Sequence, residues 1–84
     1  MGELSKLPNI GPEIEKQLTK VGISTPAELA AAGSMESWLR IKASDDSACF
    51  NRLCAVEGAI RGIKKTELPQ EVKENLKAFY LRHK

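Results

Sequence analysis

The segment Leu7-Pro8-Asn9-Ile10-Gly11-Pro12 constrains this chain more than any other. Pro8 lacks an N–H and disfavours helix at Leu7, so a helix arriving from Glu3 must stop there. Asn and Gly enter the left-handed backbone region at least cost, and a tight reversal between two helices demands that region. Pro12 suits the first turn of the next helix, where an N–H would go unpaired in any case. Glu13 favours the positive end of that helix dipole. The segment predicts a short helix over residues 3–7, a tight turn, and a second helix from Pro12 to about Val21.

The same kind of punctuation recurs along the chain. Ile14, Leu18 and Val21 fall on one stripe of the second helix. Gly22 reads as its left-handed cap, with Ile23 folded back onto Leu18 in a Schellman motif. Thr25-Pro26-Ala27-Glu28 is a capping box, in which Thr25 caps the Glu28 amide and Glu28 reaches back to the Thr25 amide. It opens a third helix that ends at Gly33. Ser34 reads as the cap of a fourth helix carrying Met35, Trp38, Leu39 and Ile41. Ser44-Asp45-Asp46-Ser47 is a polar break that supplies another cap. A fifth helix from Ala48 to about Lys64 places Phe50, Leu53, Val56, Ile60 and Ile63 on one face and should be the central core helix. Gly58 and Gly62 each weaken it by about 1 kcal/mol relative to Ala, and read as places where a neighbouring helix approaches closely. Leu68-Pro69 opens the last helix, with Val72, Leu76 and Phe79 inward and Arg82, His83 and Lys84 at its negative end. Residues 1–84 thus read as a single domain: all-α, a compact bundle of about five or six short helices.

Composition bounds the function. The chain is 42% hydrophobic and 29% charged, which excludes a disordered tail. Its aromatic residues are Trp38, Phe50, Phe79 and Tyr80, so Leu, Ile, Val and Ala must fill most of the core. No apolar run spans a bilayer, and no charged-then-apolar leader indicates secretion. Met1-Gly2 resembles a myristoylation start only superficially, because Lys6 stands where Ser or Thr is wanted. Cys49 and Cys54 point to different faces of a helix and cannot bridge each other there. The single His83 is far from both, so no metal site is expected, and two free thiols read as a reducing cytoplasm. The net charge of +2 is unevenly spread: residues 60–84 carry seven bases and three acids, whereas residues 25–59 carry three bases and five acids.

The stretch from Leu4 through Leu18 resembles the helix-hairpin-helix motif, with Asn9 standing in place of the first Gly of its usual Gly-hydrophobic-Gly turn. The succession Leu7-Pro8-Asn9-Ile10-Gly11-Pro12, Val21-Gly22-Ile23-Ser24-Thr25-Pro26-Ala27-Glu28-Leu29, Trp38-Leu39-Arg40, Leu53 through Gly62, and Leu68-Pro69 resembles the C-terminal domain of the TfoX (Sxy) family over nearly the whole chain. That resemblance implies a SAM-like helical regulatory module in a bacterium, linked to competence and transcription regulation, and it implies no catalytic residue. The hairpin also resembles one in the alpha chain of RNA polymerase, in the carboxy-terminal domain that contacts DNA and protein partners; this likeness is at motif level.

A helix-hairpin-helix turn exposes backbone N–H groups at a helix start, where they can hold a phosphate without reading bases. On this reading Asn9, Ile10 and Gly11 form the phosphate seat, helped by Lys6, Lys16 and Lys20, or by Arg61, Lys64 and Lys65 if that densest basic run shares the face. Glu13 and Glu15 just after the turn oppose it, since carboxylates there repel phosphate. Glu57 lies at the edge of the apolar stripe and reads as a salt bridge to Arg61 or a hydrogen-bond partner of a helix start or the Trp38 indole, not as a catalytic acid. Trp38 reads as packing more than as an interaction anchor. The expected function is binding, without cofactor, membrane or small-molecule substrate, to DNA or a DNA-bound protein. The alternative is a protein-interaction or dimerisation domain, a possible homodimer, in which the hairpin is architecture only.

Overall fold

The computed structural model describes residues 3–45 and 48–83. Its elements in order are a single 3-10 turn, Leu4–Lys6, then α1, Pro12–Lys20, α2, Pro26–Ser44, α3, Phe50–Arg61, a second 3-10 turn, Lys65–Glu67, and α4, Gln70–His83. There are four α-helices among the described residues, not five or six. The expected first helix is one 3-10 turn, closed by the Lys6 amide on the Glu3 carbonyl at 3.2 Å and the Leu7 amide on that of Leu4 at 3.0 Å. The expected third and fourth helices are the two arms of α2, which kinks between them at Gly33, where the backbone is not helical (φ 84°, ψ 163°). Ser34 does not cap the resumed helix. Its hydroxyl turns to α3 and donates to Glu57 Oε1 at 2.5 Å, while Ser37 Oγ donates to the Gly33 carbonyl at 2.7 Å and ties the break to the turn that follows.

The caps around α1 and α2 follow from their residues. Gly22 (φ 91°) terminates α1, with the Ile23 amide on the Leu18 carbonyl at 2.9 Å and the Gly22 amide on that of Thr19 at 3.1 Å, which is the Schellman pattern. Ile23 and Leu18 are both fully buried. Thr25 Oγ1 accepts from the Glu28 amide at 3.1 Å, but Glu28 Oε1 reaches one residue past the expected partner and takes the Ser24 amide at 2.8 Å. The long Glu side chain thereby covers an amide outside the helix, which the cap itself leaves open.

The helix α3 is the centre of the molecule, packed on by α2, α4 and the second 3-10 turn. Leu53 and Val56 are wholly buried as their spacing requires, while Phe50, Ile60 and Ile63 only edge the core. The buried face includes Cys54, Ala55, Gly58 and Ala59, small residues that let neighbours approach on a second side. The helix is shorter at both ends than its apolar pattern suggests. Cys49 is its N-cap, without a side-chain cap bond, and Gly62 (φ 75°) stops it. The expected cap residues Asp46 and Ser47 lie outside the described residues, as do Met1, Gly2 and Lys84.

Trp38 joins three helices. It is fully buried, its indole N–H donates to the Cys49 carbonyl at 3.1 Å, and its ring meets Phe79 and Tyr80 of α4 edge-on at 6.0 and 5.6 Å. Its polar edge thus finishes the start of α3 while its apolar body fills the space between α2 and α4. The large hydrophobics left exposed among the described residues are Met35 on α2 and Leu81 on α4.

The two cysteines are free, Cys49 exposed and Cys54 buried. Burial pushes the Cys54 thiol above its ordinary value of 9.0, outweighing the opposing pull of Lys65 and Lys73. The folded chain then holds this proton more tightly than the unfolded one, so its contribution to stability is complete below about pH 9 and falls as pH rises through the folded pKa. Alkylation with iodoacetamide at pH 8, followed by mass spectrometry, should modify Cys49 rapidly and Cys54 at least about tenfold more slowly, with equal rates only in denaturant.

Candidate functional site

Asn9 is the non-glycine residue with positive φ among the described residues (68°), so the hairpin turn adopts the left-handed conformation its sequence suggests. The choice of Asn over Gly is explained by its side chain. Asn9 Nδ2 donates to the Ile63 carbonyl at 3.0 Å and to the Ala55 carbonyl at 3.3 Å. Asn9 Oδ1 accepts from the Lys65 amide at 3.0 Å. One carboxamide therefore satisfies backbone groups at the end of α3 and at the start of the second 3-10 turn.

The far side of this clamp is prepared by two glycines. Gly62 closes α3 with a second Schellman pattern, the Ile63 amide on the Gly58 carbonyl at 2.9 Å and the Gly62 amide on that of Ala59 at 3.2 Å. This reversal brings the Ile63 carbonyl back over α3. Gly58 then leaves the room needed. A Cβ there would stand 2.6 Å from Asn9 Nδ2 and 2.7 Å from the Ile63 oxygen. Gly58 admits a side chain and a returning loop, where the sequence suggested a neighbouring helix.

The clamp places the hairpin turn beside the basic run. Lys65 is bound to Asn9 through its own amide, and Arg61, Lys64 and Lys65 are all exposed. Arg61 is held by Glu57, one turn back, and Glu57 also takes the Ser34 hydroxyl, so this acid ties α2 to α3 as an ion-pair and hydrogen-bond partner. The Lys64 amide donates to Glu67 Oε1 at 3.1 Å, which fixes the start of the second 3-10 turn. Lys6, Lys16 and Lys20 are exposed on the elements either side of the hairpin. Ile10 is different: the residue is 5% exposed and its amide donates to the Leu7 carbonyl at 3.3 Å. The donors left at the turn are those at the start of α1, where Gly11 is an extended N-cap with no side-chain bond and the first helical bond is that of the Glu15 amide to the Gly11 carbonyl. Glu15, in the first turn of α1, accepts from the Ser5 amide through Oε2 at 3.2 Å. Of the two acids that flank the turn, one is thus engaged in holding the first 3-10 turn against α1.

These features define a helical domain in which the hairpin turn is bonded to the loop that carries Lys65. The chain belongs to the TfoX C-terminal domain family, whose model matches residues 1–80. It is similar to an uncharacterized protein from Listeria monocytogenes crystallised in a triclinic form, with 47% identity and a TM-score of 0.93 over 94% of this chain and 90% of that one. A protein of unknown function from the same organism, in a tetragonal form, shares 46% identity at a TM-score of 0.94, over 96% and 99% of the two chains. No curated protein matches the chain.

The clamp makes a double-mutant cycle informative. Asn9→Gly keeps the backbone conformation and removes the side-chain bonds, and should cost about 1–3 kcal/mol in urea unfolding. Gly58→Ala should destabilise by a similar amount through the clash. In the Asn9→Gly background the Gly58→Ala cost should shrink by at least about 0.5 kcal/mol, because one of the two atoms it strikes is gone. Strict additivity would show that the two residues do not meet.

Proposed function

We propose that this domain is a regulatory binding module that holds nucleic-acid backbone, or a DNA-bound complex, in the bacterial competence and transcription regulation with which its family is linked. The observation that carries the reading is the hydrogen bond from the Lys65 amide to Asn9 Oδ1, which sets the basic run beside the hairpin turn. The turn works as a helix-hairpin-helix in this reading. The free amides at the start of α1 and the positive end of its dipole meet one phosphate, while Lys64 and Lys65 meet neighbours along the strand. Lys6, Lys16 and Lys20 extend the same field on either side. Arg61 contributes less, being neutralised by Glu57. Ile10 contributes through the turn it anchors in the core. Such contacts position a duplex without selecting a sequence, so specificity falls to a partner protein.

Fluorescence anisotropy with a short labelled duplex checks the proposal. Binding should appear at low salt, with the logarithm of the association constant falling linearly with the logarithm of salt concentration. Lys64→Gln and Lys65→Gln should each weaken binding to unrelated duplexes alike and reduce that slope by about 1. Absence of binding at low salt, or binding indifferent to salt and to both substitutions, would overturn it.

A further inference from the structure

A cavity of about 180 Å³ opens between the hairpin and α3, lined among others by Asn9, Ile14, Asn51, Arg52, Ala55 and Lys65. That is more than ten times the ~10–15 Å³ one water needs. Among the described residues its walls carry two cations, Arg52 and Lys65, and no carboxylate. Asn51 and Lys65 are exposed at its rim, whereas the Arg52 side chain is only 19% exposed. Arg52 is incompletely matched by the described residues. Its Nη1 is buried without a hydrogen-bond acceptor among them and lies 3.7 Å from Asp45 Oδ2, an oxygen that already accepts from Gln17 Nε2 at 2.9 Å. A largely buried guanidinium in so long an ion pair is only partly neutralised, and its Nη1 nitrogen is shut off from water as well as from any acceptor among the described residues. Its planar fork suits a tetrahedral oxyanion, and a mobile ammonium at the rim suits the remaining charge.

We infer that this cavity is a binding site for one phosphate-type oxyanion, held by Arg52 from the side and Lys65 from the rim, with Asn51 as an uncharged donor. The group can come from a nucleic-acid backbone or from a free phosphorylated molecule. The site shares Lys65 with the surface proposed above but does not depend on that surface binding DNA. Because Asn9 holds the backbone of Lys65 and itself lines the cavity, the clamp anchors at the rim the stem from which the ammonium reaches.

The probe is inorganic phosphate, titrated at constant ionic strength and followed by amide and side-chain NMR shifts. Saturable shifts should concentrate at Asn51, Arg52 and Lys65. Arg52→Gln should weaken phosphate binding about tenfold and Lys65→Gln severalfold, while Lys77→Gln on α4 leaves it unchanged. If Arg52→Gln fails to fold, Lys65→Gln, at an exposed position, still decides. Shifts that do not saturate, that spread evenly over the surface lysines, or that survive both substitutions would overturn the site. Competition separates the sources: phosphate that displaces a bound duplex marks a backbone phosphate as the occupant, and phosphate that binds without displacing it, or where no duplex binds, marks a free anion. A duplex that binds while phosphate leaves the cavity shifts untouched would refute the cavity alone.

Discussion

The carboxamide of Asn9 connects parts of the chain more than forty residues apart, and the arrangement of the candidate surface depends on it. Its backbone makes the left-handed step of the hairpin, and its side chain binds the Ala55 and Ile63 carbonyls and the Lys65 amide. Without that bridge the loop after α3 would have two backbone groups to satisfy elsewhere. Gly58 and Gly62 serve the same contact from the other side, one by leaving space and one by turning the chain back. Three residues of ordinary type thus set where the positive charge of residues 61–65 lies relative to the turn.

The rest of the core makes this possible at small size. The apolar side chains of α2, α3 and α4 meet around Trp38, whose indole spans the space that a chain poor in aromatics would otherwise fill with smaller groups. Among the described residues, two carboxylates each join groups from different helices. Ser34 and Arg61 share Glu57, and Gln17 and Arg52 share Asp45. Each fixes one helix against another through a group that is partly shielded from water, where a hydrogen bond to a charged partner is stronger than at the surface.

Local chemistry was readable in the residues wherever a cap or a proline decided the outcome. The ends of α1, the start of α2 and the inward faces of α3 and α4 follow from Pro12, Gly22, Thr25 and the spacing of Leu53, Val56, Leu76 and Phe79. What sequence spacing could not supply was the third dimension. Gly33 breaks the helical backbone as its residue type suggests, yet the helix resumes at once, so two segments join in one kinked α2, with Ser37 bonded to the Gly33 carbonyl on the far side of the kink. Gly58 looks like a helix–helix contact, yet its neighbour is a side chain from residue 9. The adjacency of the hairpin and the basic run was an open condition in the sequence, because it rests on hydrogen bonds between residues 9 and 65. The signal that could have found it was the Asn itself: a residue with a polar side chain where the turn needs only glycine's freedom. Arg52 left no such mark, since its surroundings are assembled from Asn9, Ile14 and α3 together.

Amide hydrogen exchange at Lys65 reads out whether Asn9 holds the basic run to the hairpin. The Lys65 N–H has no helical acceptor and owes its protection to Asn9 Oδ1. Lys65 should show measurable protection in the native chain, lost by at least about tenfold in Asn9→Gly beyond any loss shared with the Leu53 amide in the core. Free exchange at Lys65 in the unmodified chain, or protection that Asn9→Gly leaves intact, would contradict it.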